Sequence, residues 1–163
     1  MGGHLACNMN SVALGISLGM PNDSAPRLPD LGVEVRRWVL GNANQLSTLR
    51  AALLESIAPA AHATSHELDE VAEKMLLVAT ELATNGLKYG LPPTIVRLCR
   101  MSQDYVIDVV DHDPATRPEP TRGRGRAGGG LGLMVARTLA IEVGWYKTIT
   151  TKHVWARFRG PPS

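Results

Sequence analysis

The sequence predicts an α/β chain of the α+β type: a two-layer sandwich in which helices cover one face of a mixed, mostly antiparallel sheet. Three observations carry this expectation. Apolar residues recur at helical spacing in "ANQLSTLRAALLESIA" and "ATSHELDEVAEKMLLVATELATNGLKYG". Runs rich in β-branched residues flank that helical block, "GVEVRRWVL" before it and "TIVRLCRM", "YVIDVVD" and "HVWARF" after it. The resulting order is strand, two helices, two strands, a long loop, a helix and two strands, with no internal repeat.

The elements follow in turn. Residues 1–30 are rich in Gly, Ser, Asn and Pro without a steady period, and are expected to be a disordered tail ahead of one domain over 31–160. Within that tail "SVALGISLGM" is mildly apolar. No basic region precedes it and no clean cleavage site follows, so it does not read as a signal peptide. "GVEVRRWVL" is partly alternating and β-branched, a strand. Leu46, Leu49, Leu53 and Ile57 share one face of the first helix, which Pro59 ends. The second helix starts near Ser65, buries Leu68, Val71, Met75, Val78 and Leu82, and stops at Gly90 and Pro92. "TIVRLCRM" and "YVIDVVD" form a hairpin across "SQD". "HDPATRPEPTRGRGRAGGG" is too long for a plain connection and is expected to be a functional lid loop over 112–130. "LGLMVARTLAIEV" is the third helix, and "GWYKTITT" with "HVWARF" closes the chain as a hairpin.

Composition narrows the class. A chain of 163 residues with 44% hydrophobic content can bury one sizeable core. Aromatics are only 4%, so aliphatic residues must build it. A net charge of +2 is too small to argue for nucleic acid or a membrane surface. No apolar run approaches the ~20 residues that span a bilayer. Cys7 and Cys99 fall in the tail and in a strand, which disfavours a structural disulfide and fits a reducing cytoplasm.

Three stretches could carry chemistry. In "ELATNGLKYG", Glu81 and Asn85 lie one helical turn apart and share a face. Asn and Gly are poor helix formers, so Asn85 and Gly86 call for a reason beyond helix stability. Asp111 ends an apolar strand before a loop, where its carboxylate could accept from a ligand amine or cap the loop. "GGGLGL", residues 128–133, puts consecutive glycines at a helix start, where free N–H groups and the helix dipole suit phosphate. It is neither a Walker A loop nor a dinucleotide fingerprint.

Taken together, a helix with Glu-x-x-x-Asn, a strand ending in Asp and a Gly-rich loop opening a helix resemble the Bergerat-type ATP-binding fold of the GHKL superfamily (gyrase, MutL, histidine kinases). "ELATN" matches the N box, the Asp111 region the first glycine box and "GGGLGL" the second. The wording "ELATNGLKYG … GGGLGLMVARTLA … VWARF" is similar to RsbW/SpoIIAB-type anti-sigma factor serine-protein kinases over roughly residues 33–159.

The resemblance implies ATP and Mg²⁺ as cofactors. Asn85 would ligate Mg²⁺, Glu81 would be the general base, and Asp111 would accept from the adenine amino group. Gly128, Gly129, Gly130, Leu131 and Gly132 would line the phosphates, and Lys88 would approach them. Gly86 is read as a position without a side chain beside this pocket. The partners implied are a sigma factor and/or a STAS-domain anti-anti-sigma factor, with a homodimer face formed by the first strand and the two N-terminal helices, which an exposed Trp38 in "RRWVL" would suit. The first glycine box departs from the family pattern Asp-x-Gly-x-Gly: "DHDPA" keeps Asp111 but puts Asp113 and Ala115 where the glycines would be. That departure motivates an alternative, a catalytically weak or inactive nucleotide-gated interaction module. RNA binding through "RGRGRAGGG" is a remote alternative, with no aromatic nearby to stack on bases. "SHEL" looks like a phosphoacceptor box, but no dimerising hairpin fits between His66 and Asn85. His62, His112 and His153 lack zinc-ligand spacing.

Overall fold

The computed structural model describes residues 14–17, 29–57, 65–118 and 131–160. The strands are β1 (Leu14–Ser17), β2 (Val33–Leu40), β3 (Thr94–Met101), β4 (Asp104–Asp111), β5 (Glu142–Lys147) and β6 (Lys152–Phe158). The helices are α1 (Leu46–Ile57), α2 (Ser65–Tyr89) and α3 (Leu131–Leu139), with a short 3-10 turn, Ala43–Gln45, leading into α1.

The strands form a single sheet in the order β1-β5-β6-β4-β3-β2. Among the described strands every pairing is antiparallel, so the expected mixed character is absent there. For two of these pairings, β3–β4 and β5–β6, the physical reason is connection length. β3 and β4 are joined by Ser102–Gln103 with Ser102 at φ 55, and β5 and β6 by the turn at 148–151. Such short links can only reverse the chain. β1 lies inside the stretch expected to be a disordered tail, and it pairs with β5 from Leu14↔Lys147 to Ser17↔Gly144.

Alternation along the strands divides the core. Val96 and Leu98 of β3, Tyr105, Ile107 and Val109 of β4, and Ala156 and Phe158 of β6 face the helices. There they pack with Leu49, Leu53 and Ile57 of α1, Met75, Val78, Ala79, Leu82 and Ala83 of α2, and Ala136 of α3. Period 2 meets period 3.6, as a helix-on-sheet layer requires. Leu31, Cys99, Val106, Tyr146 and Trp155 form a separate cluster on the opposite face. Trp38, expected to be exposed, is partly buried against the helix-side core.

Local signals explain the helix ends. Asn42 Oδ1 accepts from the Asn44 N–H at 3.0 Å, and Gln45 Oε1 accepts from the Asn42 N–H at 3.3 Å, a reciprocal cap ahead of α1. α3 is shorter than expected. It ends at Leu139, and the Ile141 N–H donates to the Arg157 carbonyl at 2.9 Å, turning "IEV" into the start of β5. β-branched Ile141 and Val143 suit that extended run.

Candidate functional site

α2 carries the first pair of candidate residues. Glu81 and Asn85 are both partly buried, and they occupy successive turns of one face. α3 begins directly against that face. Gly132 is buried, and a Cβ on it would lie 2.7 Å from Asn85 Nδ2 and 3.2 Å from the Glu81 carbonyl oxygen. Only a residue without a side chain lets the two backbones approach this closely. Leu131, one residue earlier, is exposed, and so is Lys88 on the last turn of α2. Among the described residues, the side chains of Glu81, Asn85 and Lys88 take no hydrogen bond or ion pair within the protein. Gly128, Gly129 and Gly130, with Arg122, Arg124 and Arg126, lie outside the described residues.

The second half of the site is where α2 ends. The Gly90 N–H donates to the Gly86 carbonyl at 3.0 Å, closing the last turn. A Cβ on Gly90 would sit 2.5 Å from the Asp111 carboxyl carbon. The Asp111 side chain therefore packs under the bare backbone at the helix end. Gly86 has a different reason from the one expected. A Cβ there would be 2.9 Å from Thr94 Cγ2 and 3.6 Å from Val109 Cγ1, so its lack of a side chain lets α2 settle on β3 and β4.

Asp111 is buried, and both of its oxygens are engaged. Oδ1 accepts from the Asp113 N–H at 2.8 Å, and Oδ2 pairs with Lys152 Nζ at 3.2 Å. Lys152 is itself buried, directly across from Asp111 in the β4–β6 register. Sequence reasoning missed this lysine. The signal was available in "KHVWARF", where Lys152 is in phase with Val154, Ala156 and Phe158, which face the helix side.

The loop after β4 does not hinge on glycines. The His112 N–H donates to the Leu91 carbonyl at 3.0 Å, and His112 Nδ1 lies 3.0 Å from the Pro93 carbonyl. The Asp113 carboxylate accepts from the Ala115 N–H at 3.1 Å and the Thr116 hydroxyl at 2.5 Å. The Thr116 bond, above all, holds the Asp113 carboxyl below its ordinary value. Arg117 then places its guanidinium 5.7 Å from the centre of the Trp145 ring on β5. The departure from the glycine pattern thus gives a side-chain-bonded turn.

The donor set bears on the implied cofactors. No group of three or more His, Cys, Asp or Glu side chains among the described residues could hold a metal ion. Mg²⁺ does not require one. It keeps several waters and takes phosphate oxygens, so a single amide oxygen from Asn85 fits it.

A second polar cluster lies on the sheet face away from the helices. Arg97 donates to Asp108 Oδ2 from Nε at 2.8 Å and also from a terminal nitrogen. His153 Nδ1 lies 3.0 Å from the same oxygen, and His153 Nε2 lies 3.0 Å from Thr151 Oγ1. The Tyr146 ring stacks on His153 at 4.2 Å between centroids. Glu34 joins this cluster through Arg97 at 3.5 Å and binds Arg37 at 2.8 Å. Burial disfavours the Arg97 charge, but the Asp108 charge and hydrogen bonds outweigh it and raise the guanidinium pKa further. The sequence reading did not single out Asp108; the signal for it was a carboxylate in the middle of "VIDVVD".

Comparison with protein-family models and with curated proteins returned no match for this chain. No described helix is long and apolar enough to cross a membrane.

Proposed function

We propose that the chain is a cytoplasmic ATP- and Mg²⁺-binding regulator of the anti-sigma type, with a Bergerat-type fold. It binds a sigma factor or a STAS-domain partner and phosphorylates a Ser or Thr of the latter. One observation carries the reading. Three motifs far apart in sequence converge on the C-terminal half of α2: Glu81 and Asn85 lie on it, Gly132 abuts Asn85, and Gly90 abuts Asp111. A structural account of a helix end does not require all three.

In this reading the Asn85 amide oxygen holds Mg²⁺, which neutralises phosphate charge when bound. Glu81, without a protein partner among the described residues, takes the proton of the acceptor hydroxyl. Asp111 is the acceptor for the base. The backbone at Gly132 gives the phosphates access to the start of α3. Phosphorylating a partner adds roughly −2 charge, enough to break an interface not built for it.

A second reading has its own observation. The Asp111 carboxylate already bonds Asp113 and Lys152, and Asp113 and Ala115 replace the hinge glycines. That arrangement favours a weakly catalytic or inactive interaction module.

Calorimetric titration of ATP, with and without Mg²⁺, on wild type and Asn85→Ala tests the first claim. Mg²⁺-dependent binding lost in the variant is expected, and no heat from wild type at millimolar nucleotide removes it. Labelled ATP with candidate STAS proteins separates the two readings: transfer abolished by Glu81→Ala marks the kinase, and partner binding without transfer marks the module.

A further inference from the structure

The Asp111–Lys152 pair has a form that neutralising a strand-end carboxylate does not demand. Both side chains are more than nine-tenths buried. Asp111 is oriented from one side by the Asp113 N–H on Oδ1. Lys152 approaches the other oxygen, Oδ2. An ammonium carries three N–H donors, and Asp111 is the acceptor found for Lys152 among the described residues. Asp111 Oδ2 takes up one of these donors at 3.2 Å, which leaves the ammonium with donor capacity for a ligand atom placed beside the carboxylate. Over the carboxyl lies the bare backbone of Gly90, not a side chain. The pair therefore sets an acceptor beside a donor. Its complement is a ligand edge with a donor beside an acceptor, such as an amino group next to an unprotonated ring nitrogen.

We infer that Lys152 is a base-reading residue of the nucleotide site. It donates to ring nitrogen N1 of adenine while Asp111 accepts from the 6-amino group. This inference rests on the nucleotide-binding reading above and extends it to a residue and a ligand atom. Lys152 makes the site read two adjacent atoms of the base, where Asp111 alone would read one.

The test uses the 163-residue chain and two ligands. ATP and 1-deaza-ATP, in which a C–H replaces N1, are titrated into wild type and into Lys152→Met and Lys152→Arg. Wild type is expected to bind ATP about tenfold more tightly than the deaza analogue, the ratio one lost hydrogen bond gives. Lys152→Met is expected to bind the two alike. Lys152→Arg, which keeps a donor, retains part of the preference. The wild-type comparison needs no variant, so it decides even if Lys152→Met fails to fold. Equal affinity of wild type for both ligands overturns the role of Lys152 and leaves nucleotide binding standing. A preference that persists in folded Lys152→Met also overturns it. Absence of ATP binding to wild type overturns the nucleotide reading, and this inference with it.

Discussion

Gly132 and Asn85 are in such close register that a Cβ on the glycine would stand 2.7 Å from the Asn85 amide nitrogen. Gly132→Ala must displace either the amide or α3. We expect a cost of about 1–3 kcal/mol in stability, the usual range for overpacking. We also expect a loss of Mg²⁺-ATP affinity larger than the destabilisation explains. Denaturant melts with parallel titrations check both. Unchanged affinity in a folded variant would show that Asn85 is not held by this contact.

Ligand addition gives a second readout of the same site. Mg²⁺-ATP at a hundred times its Kd should stabilise the fold by about 2.7 kcal/mol, since a ligand of the native state shifts unfolding by mass action. Chelating the Mg²⁺ should remove most of that shift in wild type and change little in Asn85→Ala. Thermal melts at fixed protein concentration are sufficient.

Asp108 anchors the polar cluster on the other face. Asp108→Ala leaves Arg97 and His153 without their shared carboxylate in a buried setting. Removing one partner of a buried pair costs about 3–5 kcal/mol. We expect a loss of that size by chemical denaturation. A loss under about 1 kcal/mol would mean that water replaces the carboxylate.

Glu34 predicts a modest acid dependence. The Arg37 hydrogen bond lowers its carboxyl pKa below the ordinary 4.5; burial opposes this, and the Arg37 and Arg97 charges add to it. A carboxyl depressed on folding contributes stability above its unfolded pKa. That contribution is lost as pH falls below 4.5 through the folded pKa. Because the side chain is 30% exposed and its partner Arg37 is more so, solvent screens the pair and the contribution is under about 1 kcal/mol. Glu34→Gln should flatten part of the acid-side fall in stability and change little of its slope above pH 5.

Leu53 is fully buried on α1 in the helix-side core. Leu53→Ala should cost about 2–5 kcal/mol, while the exposed Leu54→Ala should stay within about 0.5 kcal/mol. Urea melts of the two variants compare neighbouring positions of one helix. Similar losses would place the α1 face wrongly.

The sequence by itself determined most of the elements. β3 spans the "TIVRLCRM" run, and α2 runs from Ser65 to Tyr89, because local propensity, caps and glycine stops act within a few residues. It also singled out Glu81, Asn85 and Asp111, whose polarity conflicts with their apolar surroundings. The tertiary structure decided what that local chemistry cannot encode. Pairing in the sheet set Lys152 across from Asp111, and Arg97 and His153 around Asp108. It gave Gly86 a packing role against Thr94 and assigned the close approach to Gly132 and Gly90. It drew Leu14–Ser17 into the sheet and ended α3 at Leu139. Each of these depends on contacts between segments far apart in the chain, and a one-residue change of strand register would turn Lys152, Arg97 and His153 to the other face of the sheet.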